Sequence, residues 1–200
     1  MKVLVGCEYS GRVREAFRSL GHDAWSCDLI ESSDNSPFHI QKDVLEVVNY
    51  CNWDLAIFHP PCTYLSRAGA RWLYPKGQLN QDRYLKLLEG RKLFMELLNC
   101  DIPKIAIENP TPFKIANLPE PSQIIQPYHF GDPYSKRTLL WLKGLEPLVP
   151  SNIVESNGSW LPSNTSGFRK NQKSQKGFSN AGDYSLTFQG IAHAMANQWG

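Results

Sequence analysis

Trp53-Asp54-Leu55-Ala56-Ile57-Phe58-His59-Pro60-Pro61-Cys62 is an apolar run that stops at two prolines and a thiol. Trp53 to Phe58 reads as a buried strand that ends at the proline pair and the thiol. The prolines fix φ and remove backbone donors, so the loop after the strand has few alternative shapes. The thiol of Cys62 therefore sits on a stiff loop at the carboxyl end of a strand, the edge at which open α/β sheets carry their ligands.

The chain on either side repeats strand and helix. Lys2 to Val5 reads as a first strand ending at Gly6. Ser10 and Gly11 open a helix with Val13, Ala16, Phe17 and Leu20 at helical spacing, and Gly21 stops it. Ala24 to Cys27 reads as a second strand that ends at Asp28. Residues 31–42 read as a loop, Asp43 to Tyr50 as a short helix, and residues 63–80 as irregular. Gln81 to Asn99 is the best helix, with Tyr84, Leu87, Leu88, Leu93, Leu97 and Leu98 on its apolar face. Lys104 to Ile107 is a strand that runs into Glu108-Asn109-Pro110, followed by strands at Gln123 to Phe130 and Thr138 to Lys143. Thr187 to Trp199 closes the chain as a helix. The alternation predicts a single Rossmann-like α/β domain with a mostly parallel sheet.

Composition narrows the function classes. The 200 residues fit one domain, and 42% hydrophobic residues supply a core. A net charge of +2 makes no overall electrostatic claim on nucleic acid. No apolar run spans a membrane, and the first residues read as a strand rather than a secretion signal. The five cysteines, Cys7, Cys27, Cys51, Cys62 and Cys100, form no CxxC pair, which fits reduced thiols in a cytoplasm and neither a disulfide framework nor a zinc site. His59 and His129 lack a partner at metal-ligand spacing and read as structural or substrate-lining; no metal is expected. Residues 146–183 read as a flexible basic loop, with Arg169, Lys170, Lys173 and Lys176 clustered and no acid between Glu155 and Asp183.

Four features stand in a telling order: the strand-turn-helix start, the acid after the second strand, Pro-Pro-Cys, and Glu-Asn-Pro. That order resembles the cytosine C5-specific DNA methyltransferase family. Pro61-Cys62-Thr63-Tyr64-Leu65-Ser66-Arg67-Ala68-Gly69 is similar to the family's Pro-Cys-Gln-x-Phe-Ser-x-Ala-Gly. Glu108-Asn109-Pro110 is similar to its Glu-Asn-Val, and Phe130-Gly131-Asp132-Pro133-Tyr134-Ser135-Lys136-Arg137 to its Tyr-Gly-x-Pro-Gln-x-Arg-x-Arg. The last helix, with Gln189-Gly190-Ile191-Ala192, resembles the family's closing motif. The likeness covers residues 1–145 and 184–200, in a short, phage-type form without a full target-recognition domain. Two positions differ. The first turn reads Gly6-Cys7-Glu8-Tyr9-Ser10-Gly11 and keeps only the last glycine of Phe-x-Gly-x-Gly-Gly, and Arg-x-Arg falls on Lys136-Arg137-Thr138.

The resemblance implies a Rossmann-like methyltransferase domain that uses S-adenosyl-L-methionine on cytosine in DNA. It assigns Cys62 as the nucleophile, because only a soft, ionisable thiol adds readily to C6 of the ring. Glu108 is the candidate for protonating N3 and is expected to retain its proton in a partly buried site. Lys136 and Arg137 are the candidate cations for charge building at the base. Tyr9, Ser10 and Gly11 are expected to turn backbone N–H groups toward the cofactor's carboxylate, Asp28 to take its ribose, Asp43 to stand beside its adenine, and Pro60 to line its pocket. Arg67 and Arg71 are candidate DNA contacts around a flipped base. The missing recognition domain leaves two partner expectations, a homodimer or a protein that supplies target recognition. It also leaves two alternative functions: methylation of a free pyrimidine nucleotide, or a non-catalytic member of the fold that binds nucleotide or nucleic acid.

Blander readings stand beside these. Taken alone, Cys62 reads as a buried structural cysteine, and only the ordered motifs turn it into a nucleophile. Glu108 alone reads equally as a strand-end cap or a partner of Lys104, and Asp28 and Asp43 as helix caps. Trp72 and Tyr74 read equally as core or as base-stacking groups. Amino-methyltransferases carry an acid or amide before Pro-Pro and an aromatic after it; His59 before the prolines and a thiol after them favour carbon as the acceptor. The expected location is the cytoplasm of a bacterial or phage-infected cell.

Overall fold

The computed structural model describes residues 1–156 and 186–200. Seven strands form one sheet in the order β3-β2-β1-β4-β5-β7-β6. They are β1 Lys2–Gly6, β2 Asp23–Asp28, β3 His39–Gln41, β4 Leu55–Phe58, β5 Lys104–Asn109, β6 Gln123–Ile125 and β7 Thr138–Lys143. Strands β1 to β5 run parallel, and β7 is inserted antiparallel between β5 and β6. The α-helices are α1 Arg12–Arg18, α2 Val44–Val47, α3 Ala70–Leu73, α4 Gln81–Asn99 and α5 Gln189–Trp199.

The period of two along each strand splits the core into two layers. Val3, Val5, Leu55, Ile57 and Ala106 face α1 and α5, where Val13, Phe17, Ile191, Met195 and Trp199 complete one cluster. Leu4, Ala56, Phe58, Ile105 and Ile107 face the other way, against Val44, Leu87, Phe94 and Leu97. Phe94 meets Trp141 of β7 edge to face at 5.0 Å, the favoured aromatic arrangement. The strand before Cys62 is thus buried on both faces, as its unbroken apolar run requires.

Several boundaries differ from the sequence reading. Residues 31–42 hold an edge strand, β3, paired to β2. Asp43 stands outside α2 as its cap, its carboxylate accepting from Leu45 N–H at 2.9 Å. The region 63–80 contains α3 and two 3-10 turns, Arg67–Gly69 and Pro75–Gly77. The strand expected over Gln123 to Phe130 ends at Ile125, because Pro127, which has no N–H to donate, opens a 3-10 turn over Pro127–His129. The basic cluster Arg169 to Lys176 lies outside the described residues. Among the described residues no helix is long and apolar enough to cross a membrane.

Candidate active site

Parallel register places the chemistry. Gly6 pairs with Phe58, and Phe58 with Ile107. The residues that follow these positions therefore leave the sheet side by side at its carboxyl edge: Cys7-Glu8 after β1, His59-Pro60-Pro61-Cys62 after β4, and Glu108-Asn109 at the end of β5. Asp28 ends β2 on the same edge. Because β7 runs the other way, with Leu139 opposite Asn109, its first residues begin there and bring in Lys136. These groups line one cavity of ≈ 270 Å³, together with Tyr9, Ser10, Thr63, Pro110, Leu186 and Thr187.

Bonds within the edge fix the loop that carries the thiol. Asn109 Nδ2 donates to the Pro60 carbonyl at 3.0 Å. The Cys62 carbonyl accepts from Leu65 N–H at 3.1 Å and Ser66 N–H at 2.8 Å. Lys136 N–H donates to Gln126 Oε1 at 2.9 Å and holds the lysine at the cavity wall, where it is 9% exposed. His59 Nδ1 lies 3.3 Å from Glu108 Oε2, with the two side chains 12% and 17% exposed. Two polar atoms here, His59 Nε2 and Asn109 Oδ1, are buried without a hydrogen-bond partner. A stranded buried polar atom costs about 1–3 kcal/mol, and such atoms mark positions that a ligand can satisfy.

The charges oppose one another. Burial and the Glu108 carboxylate push the Cys62 thiol up, and the Lys136 charge pulls it back. Burial favours a protonated Glu108, but the His59 hydrogen bond and the charges of Lys136 and His59 outweigh it and lower its pKa. Glu108 is therefore held ionised in this arrangement, which differs from the sequence expectation of a retained proton; the histidine one residue after β4 is the reason. Cys7, also on the cavity, is pushed up to about 12, first by burial and then by Asp28, Cys27 and Asp43.

The structure gathers Cys62, Glu108, Lys136, Tyr9, Ser10, Asp28 and Pro60 around this cavity and leaves the other proposed residues outside its lining. Arg137, beside Lys136, is exposed. Arg67 and Arg71 are exposed on the segment after Cys62, where the Arg71 guanidinium lies 4.7 Å from the centre of the Trp72 ring. Trp72 is half exposed and is not a core residue. Gly11 has a packing role: its φ of 71° starts α1, and a Cβ there would fall 2.2 Å from the Arg14 guanidinium.

The first turn of α1 is already satisfied from within. Glu8 accepts from Val13 N–H at 2.8 Å, Arg14 N–H at 3.3 Å and Ser10 Oγ at 3.2 Å, while Arg12 N–H reaches Ser10 Oγ at 3.4 Å. A ligand carboxylate would thus meet the Tyr9-Ser10 turn and not the first N–H groups of the helix. Sequence reasoning passed over Glu8 and gave His59 no chemical role. The signal for His59 was its position directly after a buried strand. Glu8 had none, since an acid before a helix reads as an ordinary cap.

No protein-family model matches the chain, and no curated relative matches it in sequence. Several solved structures align with it. A putative DNA modification methyltransferase encoded within an E. coli prophage is 15% identical, with a TM-score of 0.49 over 78% of this chain and 52% of its own. The Entamoeba histolytica methyltransferase EhMeth is 16% identical, with a TM-score of 0.49 over 92% of this chain and 63% of its own. A Spodoptera frugiperda DNMT2 mutant is 17% identical, with a TM-score of 0.41 over 86% and 60%. This chain thus spans between about half and just under two thirds of the length of each.

Proposed function

We propose that the protein transfers a methyl group from S-adenosyl-L-methionine to C5 of cytosine in DNA, with Cys62 as the nucleophile. The observation that carries this reading is the shared cavity. A thiol whose charge state is felt by a carboxylate and an ammonium group, Cys62 with Glu108 and Lys136, lines the same ≈ 270 Å³ space as Asp28 and the Cys7–Ser10 turn. The donor set fits the cofactor: a carboxylate at the end of β2 for ribose hydroxyls, a tight turn after β1, and the Pro60 ring as an apolar wall. When bound there, S-adenosylmethionine supplies an electrophilic methyl group.

The side chains do the rest. Cys62, as thiolate, adds to C6 while N3 takes up a proton that passes through the Glu108 side chain, so the adduct is neutral and C5 becomes nucleophilic. Lys136 balances negative charge as it forms. Once C5 carries the methyl group, a solvent base takes its hydrogen as a proton, the C6–S bond breaks to return the thiolate, and N3 gives its proton back through Glu108. In Cys62→Ala, transfer of labelled methyl groups to unmethylated DNA falls to background while the thermal melt is kept; full activity in that variant would sink the thiol mechanism. A second acceptor, a free pyrimidine nucleotide, is favoured by one observation: the described residues form a single sheet domain with no separate recognition domain. Parallel assays on dCMP and on DNA separate the two.

A further inference from the structure

We propose that His59 is a positioning residue that aims Glu108 at the acceptor ring and stores the proton the pair lends to it. The inference rests on the methyl-transfer reading above. Three observations carry it. His59 follows β4 directly, so a buried strand and the two prolines after it fix where its ring lies. Its Nδ1 faces Glu108 Oε2 at 3.3 Å, which commits one carboxylate oxygen and leaves the other for a ligand. Its Nε2 is buried with no hydrogen-bond partner among the described residues, and the residue lines the cavity that holds Cys62.

A histidine kept only for packing places its ring nitrogens on protein partners. Here one nitrogen is spent on the residue the chemistry needs and the other is left unpartnered. The arrangement resolves a conflict in the site. An ionised Glu108 has no proton to give N3, yet addition of a thiolate to cytosine needs one. An imidazolium beside a carboxylate holds that proton as a pair and can pass it across their shared hydrogen bond. The step balances. His59 loses the Nδ1 proton to Glu108, Glu108 delivers a proton to N3, and the thiolate charge is cancelled in the adduct. When the thiolate leaves, N3 returns the proton and the pair is restored. The titratable groups on the cavity with this pair are Cys62, Lys136, Glu8, Asp28, Cys7 and Tyr9, and of these the Lys136 ammonium acts on Glu108, drawing its pKa down together with His59.

The test uses His59→Asn, whose amide nitrogen can still donate to Glu108 but stores no exchangeable proton, with His59→Leu as the variant that loses both. The first measurement is the titration of the Glu108 side-chain carboxyl by 13C NMR in the full chain, with thermal unfolding as a check on folding. The midpoint lies below the ordinary carboxyl range in the wild type, rises in His59→Asn and rises further in His59→Leu. The second is the pH profile of methyl transfer. In His59→Asn, kcat falls by about 100-fold, the low end of a general acid–base contribution, with KM for the acceptor kept. One limb of kcat/KM moves, because the variant has no imidazole to hold the proton and the Glu108 carboxyl is no longer drawn down by it. The limb set by Cys62 stays. An unmoved Glu108 midpoint overturns the proposal, as does a uniform loss of rate with both limbs in place. A wild type that methylates no acceptor overturns the reading of the site, and the carboxyl titration still decides whether the pair exists.

Discussion

Cys62 and Cys7 share one cavity but meet different fields. Every influence on Cys7 pushes its thiol up, to about 12, whereas the Lys136 ammonium works against the burial that raises Cys62. A thiol reacts through its thiolate, so iodoacetamide should label Cys62 before Cys7, and peptide mapping at early times checks the order. In Lys136→Gln the opposing charge is gone. Labelling of Cys62 then requires higher pH, and methyl transfer falls with it; an unchanged labelling curve would remove the lysine from the site. Glu108 makes a second residue-scale prediction, on stability. Its folded pKa lies below the ordinary 4.5, so the folded state binds this proton less readily than the unfolded chain does. The pair's contribution is fully present above the unfolded value and is lost as pH falls through the depressed folded one. Urea midpoints at pH 7 and pH 3 should therefore differ less in Glu108→Gln than in the wild type.

At the scale of elements, the site depends on close approach between strands. A Cβ on Gly6 would lie 2.6 Å from both the Phe58 ring and a Val44 methyl group. Gly6→Ala must push β4 or α2 aside, and overpacking of this kind costs about 1–3 kcal/mol. Chemical denaturation should show that loss, and kcat should fall with it, because Phe58 leads directly into His59 and Cys62. The sequence announced such elements where hydrophobic period was strong. Strands β1, β2, β4, β5 and β7 and helices α4 and α5 are all visible in the spacing of apolar residues. It hid those held by partners rather than by pattern. His39–Gln41 has no buried residue and is a strand only because β2 supplies its hydrogen bonds. Pro127 ended β6 early although apolar and aromatic residues continue past it. The same divide runs through the site. Cys62, Glu108 and Asp28 were legible because each follows a readable strand. The pairing of His59 with Glu108 joins residues 49 positions apart and appears only when β4 and β5 lie side by side. Glu8 escaped notice because its role, filling the first turn of α1, depends on how the chain folds back over its own backbone.

At the scale of the whole molecule, the distribution of charge bears on which acceptor the proposed reaction uses. The chain carries +2 overall, yet Arg169, Lys170, Lys173 and Lys176 crowd one stretch without an acid, and Arg67, Arg71 and Arg137 are exposed around the described site. If DNA is the acceptor, cations of this kind hold the phosphate backbone, and each neutralised phosphate releases counterions. Affinity then falls with salt, with a slope of about −0.9 per neutralised phosphate on duplex DNA. Changing the four clustered residues to Gln should weaken DNA binding and flatten that slope by roughly 0.9 for every phosphate no longer neutralised. At saturating DNA, kcat should stay at the wild-type level, because the proposed chemistry is assigned to Cys62, Glu108 and Lys136 and not to these four. Fluorescence anisotropy across a salt series measures the slope, and methyl transfer at high DNA concentration measures the rate. The same variant separates the two acceptors. A free pyrimidine nucleotide presents one phosphate group and no extended backbone, so KM for dCMP should change far less in this variant than the affinity for DNA does. A salt slope that survives all four changes would shift the phosphate-binding role to Arg67, Arg71 and Arg137. Absence of any salt-dependent binding in the wild type would favour the nucleotide as the acceptor.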